Sequence, residues 1–289
     1  MQWIDSWGAA NYDGYAYKAW LIYHTDYAIY IAGLYLALVF RAPPLVAKYV
    51  YGGEGVQRTG EKPAWPRCPW ICWNLLLSAF SFYGASHVVP VLLHHVRRDG
   101  LRSTLCTLHP EEYYRGPTGM AMGLFALSKG AEFGDTVFLL LSGRRRLPFL
   151  QWFHPVTTFL YCWHAYAVGS GVLTVAAALN YSVHTVMYLY FAVAEVGLKS
   201  LVRSFAMYIT LAQITQMAVG LLLIAFVTYE KYLDYAVGRP DADPAACAGT
   251  PWDAVRVQIL IAAANLVPFT QLFLGAYVFK RPDAASTKA

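Results

Sequence analysis

Charge is scarce in this chain of 289 residues: Asp, Glu, Lys and Arg make up 13% of it, against about 25% in soluble domains. So sparse a polar coat argues against a water-soluble globule. No long basic run occurs and the formal net charge is +5, so nucleic acid is not an expected partner. A phosphate-binding glycine loop is missing, and so is any Cys-x-x-Cys pair of the zinc-holding kind. The N-terminal stretch MQWIDSWGAANYDGYAYKAW has neither a positive n-region nor a small-residue cleavage site, so a removable signal peptide is not expected. Repeats and low-complexity tracts are also wanting.

What is abundant is apolar. Hydrophobic residues make up 57% of the chain, against about 45–50% in ordinary domains. The expectation is an all-α, multi-pass integral membrane protein, the whole of 1–289 forming one domain. A span needs about 20 mostly apolar residues. Stretches near 25–42, 69–95, 118–142, 149–168, 171–197, 205–229 and 255–279 qualify, making seven, with turn residues between them in RAPP, GGEGVQRTGEKPAWPRCP, RGPTG and GRPDADPAACAGTP. Lys and Arg set the direction. Thirteen of them, among them Arg41, Lys48, Arg58, Lys62, Arg144, Arg145, Arg146, Lys280, Arg281 and Lys288, fall on one side. Eight, among them Arg97, Arg98, Arg115 and Arg239, fall on the other. The C-terminus is therefore predicted cytosolic and the N-terminus lumenal. By the same topology Cys72 and Cys162 sit within spans, Cys68 lies at a cytosolic edge, and Cys106 and Cys247 share the lumenal side. An oxidising lumen allows those last two to bond, and two free thiols are the alternative.

Polar stripes inside the spans carry the functional signal. The third expected span holds Lys129, Glu132, Asp135 and Thr136 within a stripe about 120° wide. A charge at the bilayer centre costs about 2.5–3.5 kcal/mol on insertion scales, so three need a reason: a cavity, or a buried ion-pair network. Gln151, His154, Thr158 and Tyr161 share a face in the fourth span; Asn180, His184, Met187 and Tyr188 do so in the fifth; Thr210, Gln213 and Gln216 do so in the sixth. Interhelical hydrogen bonding accounts for such amides and hydroxyls by themselves. Two imidazoles among them tilt the reading towards chemistry, because a neutral imidazole can be base, nucleophile or metal ligand near pH 7. His164 reads as a packing residue, and His94 and His95, beside Arg97 and Arg98, as interfacial. Asn180-Tyr181-Ser182 matches a glycosylation sequon but lies at membrane depth, so it is rejected as an acceptor.

These boxes resemble those of the very-long-chain fatty acid elongase (ELO) family. KGAEFGDT resembles its K-x-x-E-x-x-D-T box, HTVMYLYF its H-x-x-M-Y-x-Y-Y box with Phe191 in the last place, and TLAQITQ its T-x-x-Q-x-x-Q box. The likeness runs in the right order over about residues 123–220, inside a core of about 118–229. LSKGAEFGDT and FAMYITLAQITQM look most like the branch that extends saturated and monounsaturated chains. The family's H-x-x-H-H appears as Gln151-Trp152-Phe153-His154-Pro155. Gln151 is a variant seen in polyunsaturated-chain elongases, while Pro155 for the second His is a departure.

The resemblance implies condensation of an acyl-CoA with malonyl-CoA to 3-oxoacyl-CoA, CO₂ and CoA, with no cofactor, in the endoplasmic reticulum membrane and alongside the reductases and dehydratase of the cycle. The acyl group would ride on an imidazole. His154 and His184 are the reactive imidazoles so implied; Lys129, Glu132, Asp135, Gln151 and Asn180 would set tautomers and proton positions, and Gln151, Asn180 and Tyr188 would face the enolate. Thr210, Gln213 and Gln216 are expected to bind substrate, with Arg144, Arg145 and Arg146 meeting either CoA phosphates or lipid head groups. The rivals are an impaired homologue with a scaffolding role, suggested by Pro155; a membrane di-iron desaturase or hydroxylase, which would need about eight clustered His where this chain scatters its eight; and a receptor or transporter. A retinal-binding form of the last would want a Lys in the final span, and 255–279 has none.

Overall fold

The structure, a computed structural model, describes residues 1–51, 67–144, 146–238 and 247–279. Arg145 lies outside the described residues, as do Arg58, Lys62, Arg239, Lys280, Arg281 and Lys288 of the charge count and most of two expected linkers. Every regular element described is helical: α1 Gln2–Asn11, α2 Gly14–Tyr23, α3 Thr25–Tyr49, α4 Arg67–Cys106, α5 Pro110–Tyr114, α6 Gly116–Ala131, α7 Phe133–Leu141, α8 Phe149–Val168, α9 Gly171–Val193, α10 Lys199–Val202, α11 Phe205–Ala236 and α12 Trp252–Phe273. Wider π turns join α9 to α10 (Ala194–Leu198) and extend α12 (Leu274–Val278).

Five of these stretches are long and apolar enough to cross a membrane by length and composition: Thr25–Tyr49, Arg67–Cys106, Gly171–Val202, Phe205–Ala236 and Trp252–Val278. Their outer faces are apolar, as lipid requires. Leu34, Leu222 and Leu260 are 72%, 69% and 69% exposed, which in water would be a costly surface.

Several boundaries differ from the sequence reading; α4, for one, runs past the expected 95 to Cys106, with a break in its helical backbone at Gly100. RAPP is not a linker, because α3 runs through Pro43 and Pro44 to Tyr49. Each proline removes one backbone donor and the turns around it keep theirs. Residues 118–142 are not one rod: the helix is interrupted at Glu132, whose carbonyl accepts from Asp135 N–H in a tight turn. Finally, α11 outruns its expected end to Ala236. At 1.5 Å per residue it is about 48 Å long, well beyond a hydrocarbon core of about 30 Å.

α4 and α9 lie along each other, α12 packs between α11 and α8, and α6 packs on α8 and α4. Glycine lets α4 and α9 close. A Cβ on Gly84 would stand 2.2 Å from the Tyr181 ring, and that ring's hydroxyl donates to the Ala121 carbonyl at 2.8 Å. One bulky side chain thereby fastens three helices. At one end of the bundle a disulfide joins Cys106 to Cys247, with Cα atoms 4.2 Å apart. The turn that follows is stitched to both neighbours: Gly249 N–H donates to the Cys106 carbonyl (2.7 Å), Gly171 N–H to the Gly249 carbonyl (2.8 Å), and Thr250 Oγ1 to the Leu105 carbonyl (3.1 Å). α4, α9 and α12 are thus held together at this end.

Candidate active site

Lys129 ends the buried face of α6 and is 3% exposed. Its ammonium donates to Glu132 Oε1 at 2.6 Å and to Asn180 Oδ1 at 2.7 Å. Lysine only donates, so this second bond fixes the Asn180 amide with its oxygen towards Lys129 and its nitrogen outward. Asn180 Nδ2 then donates to His184 Nε2 at 3.0 Å. The neutral ring's proton is left on Nδ1, which lies 3.5 Å from Glu132 Oε1. Four residues from two of the polar stripes close one ring of charge and hydrogen bonds, and a membrane interior tolerates charge on such terms.

Asp135 and Thr136 face elsewhere. The interruption at Glu132 turns them towards α4, α9 and α3. Asp135 Oδ1 accepts from Trp73 Nε1 at 2.7 Å and Oδ2 from the Tyr188 hydroxyl at 2.8 Å, while Thr136 shares a 2.9 Å bond with the Tyr35 hydroxyl. Gly134 makes this possible, since a Cβ there would sit 2.7 Å from the Trp73 ring. The single stripe expected from Lys129, Glu132 and Asp135 is therefore divided between two clusters.

His154, one turn into α8, is positioned by a residue that the sequence reading did not name. Asn265 of α12 is buried, and its Nδ2 donates to Thr157 Oγ1 (3.1 Å) and to the Ile261 carbonyl (2.9 Å). Its oxygen is thereby turned to His154 Nδ1 at 3.0 Å. The amide oxygen only accepts, so Nδ1 holds the ring proton and Nε2 keeps its lone pair, with no hydrogen-bond partner among the described residues. Asn265 did leave a trace in sequence: it stands seven residues after Gln258, on the same face of α12. Gln258 is itself buried and accepts from the Tyr161 hydroxyl at 2.8 Å. Trp73 left no such trace.

Two cavities meet at His154. One enclosing about 800 Å³ of atom-free space is bordered by His154, Thr158, Tyr161, Lys129, Asn180 and Gln216, and reaches Val172 at the disulfide end. The other, of about 1310 Å³, is bordered by His154, Pro155, Gln151, Asp135, Thr210 and Gln213, and reaches Glu195 and Arg144 at the far end. Both volumes include space open to the surroundings. From Val172 to Ala194 is about 33 Å along α9, so together the cavities run most of the bundle's length. His184 borders neither of them, standing behind Asn180. Among the remaining site residues, Gln151 Oε1 and Gln216 Oε1 are buried without a partner, one in each cavity. Gln213 Nε2 lies 3.1 Å from Met187 Sδ, and Thr210 Oγ1 donates to the Ala206 carbonyl (3.0 Å). Arg144 borders the second cavity, while Arg146 is exposed and not on its wall.

Taken together, the apolar exterior and the long helices define a multi-pass α-helical membrane protein, and a histidine–carboxamide–carboxylate cluster lies where its two cavities meet. The sequence pattern of the ELO family (GNS1/SUR4 family) matches residues 20–285, and the chain belongs to that family. It is 40% identical over 290 residues to "Fatty acid elongase 1" of Trypanosoma cruzi (strain CL Brener), covering 96% of each chain. It is 40% identical over 280 residues to "Fatty acid elongase 1" of Trypanosoma brucei brucei (strain 927/4 GUTat10.1), covering 94% of this chain and 89% of the relative. To "Very long chain fatty acid elongase 6" of Gallus gallus it is 38% identical over 181 residues, 61% of this chain and 64% of the relative.

Proposed function

We propose that this chain is a fatty acid elongase, an acyltransferase that condenses a long-chain acyl-CoA with malonyl-CoA to give 3-oxoacyl-CoA, CO₂ and CoA. The observation that carries the chemistry is the unpartnered Nε2 of His154 at the junction of the two cavities, its tautomer set by Asn265.

In the first half-reaction Nε2 attacks the thioester carbonyl, the C–S bond breaks, and CoA leaves as a thiolate. The ring becomes an acyl-imidazolium because Nδ1 keeps its proton. The acyl tail lies in the cavity that ends at Val172, while CoA occupies the one bordered by Arg144. In the second half-reaction malonyl-CoA loses CO₂ in that outer cavity. The resulting enolate attacks the acyl carbon, and the C–N bond breaks to return neutral His154. Charge balances, one negative enolate against one positive acyl-imidazolium, and no cofactor is needed. The Gln151 amide, unpartnered on its oxygen and beside His154, is placed to contact thioester or enolate. His184, Asn180, Glu132 and Lys129 form a relay that holds charge beside the acyl carbon, and His184 becomes reactive once Asn180 lets go of its Nε2. Asp135 and Tyr188 hold the wall behind them, and Thr210, Gln213 and Gln216 line the substrate path.

Around this site we propose seven spans, with α6–α7 as a broken third and α8 as a short fourth, enclosing a chamber whose polar groups cluster at mid-depth. The disulfide end is assigned to the lumen of the endoplasmic reticulum with the N-terminus, and the Arg144 end to the cytosol with the C-terminus. Acyl-CoA and malonyl-CoA would enter there, near the reductases and dehydratase that process the product. Saturated and monounsaturated chains are the proposed substrates.

The test is condensation by purified protein with malonyl-CoA and a panel of acyl-CoAs. The wild type should yield 3-oxoacyl-CoA, and His154→Ala and His184→Ala none. Pro155 supports a second reading, an impaired homologue acting as a scaffold, because it replaces a histidine on the wall of the outer cavity. A wild type without product on every acyl-CoA would favour that reading.

A further inference from the structure

The disulfide end of the bundle holds a cluster of histidine and carboxylate side chains that lies apart from His154 and that the condensation does not use. His95, on α4 about one turn before Gly100, is buried at 5% exposure. Both its ring nitrogens face carboxylates. Nδ1 lies 3.2 Å from Asp99 Oδ2, one helical turn on, and Nε2 lies 2.5 Å from Glu112 Oε2 of α5. His109, the residue before α5, stacks on the His95 ring with centroids 4.0 Å apart, and its Nε2 is buried without a partner. His95, His109 and Glu112 border a small cavity lined also by Thr104, Tyr113 and Thr118.

Carboxylates only accept hydrogen bonds, so a neutral His95 satisfies one of its two acidic neighbours and presents a lone pair to the other. The arrangement calls for positive charge at Nδ1, either a second proton or a bound cation. The orphaned His109 Nε2 favours the cation. Protonating His95 leaves that nitrogen without a partner, whereas a metal takes both imidazoles and the Asp99 oxygen at once. The three ligand atoms already lie within 4.8 Å of one another.

We propose that His95, Asp99 and His109 bind a divalent transition metal of the zinc class on the disulfide side of the membrane. Two imidazoles and one carboxylate suit zinc or its neighbours and not calcium or magnesium, which take oxygen ligands. Glu112 acts as the orienting partner: it accepts the Nε2 proton of His95 and so aims Nδ1 at the metal. Arg98, with two 2.9 Å bonds to Asp99, orients that carboxylate in the same way. Bonds of about 2.0–2.1 Å to a tetrahedral ion place ligand atoms about 3.4 Å apart, so the site must contract on binding. Asp99 is exposed, and His109 ends the short link after α4, so both have room to move. The metal would clamp the link between α4 and α5 beside Cys106, adding a second staple to the end already held by the disulfide. Its role is structural and lies apart from His154.

The test uses full-length purified protein stripped with a chelator, titrated with Zn²⁺ by calorimetry and assayed for bound metal by elemental analysis. The expected result is one zinc per chain in the wild type and in His154→Ala, binding at least tenfold weaker in His109→Asn and in Asp99→Asn, and a zinc-dependent rise in thermal midpoint that both variants lose. Two variants at exposed or half-buried positions keep the test open should one fail to fold. A wild type that binds no zinc, equal binding in His109→Asn and Asp99→Asn, or zinc lost in His154→Ala instead, would each overturn the proposal.

Discussion

Nδ1 of His154 donates to Oδ1 of Asn265 across 3.0 Å, a bond that ties α8 to α12 and leaves Nε2 as the ring nitrogen open to chemistry. The amide cannot turn over without losing both Thr157 and the Ile261 carbonyl. Replacing it should therefore act on the tautomer and aim of His154 and leave the binding of substrate intact. Asn265→Leu is expected to lower kcat by about 10–100-fold, in line with other lost orienting partners, with KM changed by less than about threefold. Steady-state kinetics on the purified variant check this; a loss confined to KM would contradict it.

The buried Lys129–Glu132 pair gives a stability prediction. Their side chains are 4% and 12% exposed, and removing one partner of a buried pair costs about 3–5 kcal/mol because the other charge is stranded. Lys129→Met and Glu132→Gln should each lower the thermal midpoint in detergent, and the double variant should be more stable than either single one. All three should lose activity. Simple additivity of the two losses would show that the charges do not compensate each other.

Pro155 borders the outer cavity beside His154, where the family's pattern carries a second imidazole. Proline lacks the N–H that would bond the Gln151 carbonyl, yet α8 forms around it, so the backbone here does not rely on that bond. Pro155→His is expected to keep at least wild-type activity in the condensation assay. A marked drop would show that the local backbone depends on proline.

Much of this arrangement was legible in the chain, for a physical reason. Polar side chains in a lipid-spanning stretch are few, so Lys129, Glu132, Gln151, His154, Asn180 and His184 stand out by period alone. What periodicity cannot convey is which polar group meets which. Asn265 and Gln258 share a face of α12, but neither falls in a box, and nothing in their spacing says that Asn265 meets His154. Trp73 lies in no stripe or box, and its ring reaches Asp135 because Gly134 leaves room for it. The interruption at Glu132 was hidden because a stripe calculation assumes an unbroken 100° step. Likewise Thr210 and Gln216, on one face of α11, are about 9 Å apart along its axis, far enough to fall in different cavities.

The disulfide offers a direct check on chain topology. Cys106 and Cys247 are 141 residues apart, so the bond closes a large loop. Wild-type protein should migrate faster without reductant than Cys247→Ser, and alongside it once reduced. Identical mobility of the two proteins in both conditions would argue against the bond.

The most direct measurement is intact and peptide mass spectrometry of protein incubated with palmitoyl-CoA alone. One palmitoyl group should appear on His154, with CoA released, in the wild type and in His184→Ala but not in His154→Ala, and malonyl-CoA should discharge it from the wild type. A palmitoyl group on His184 or on Cys162, or none on His154 under conditions where the protein makes 3-oxoacyl-CoA, would contradict the account.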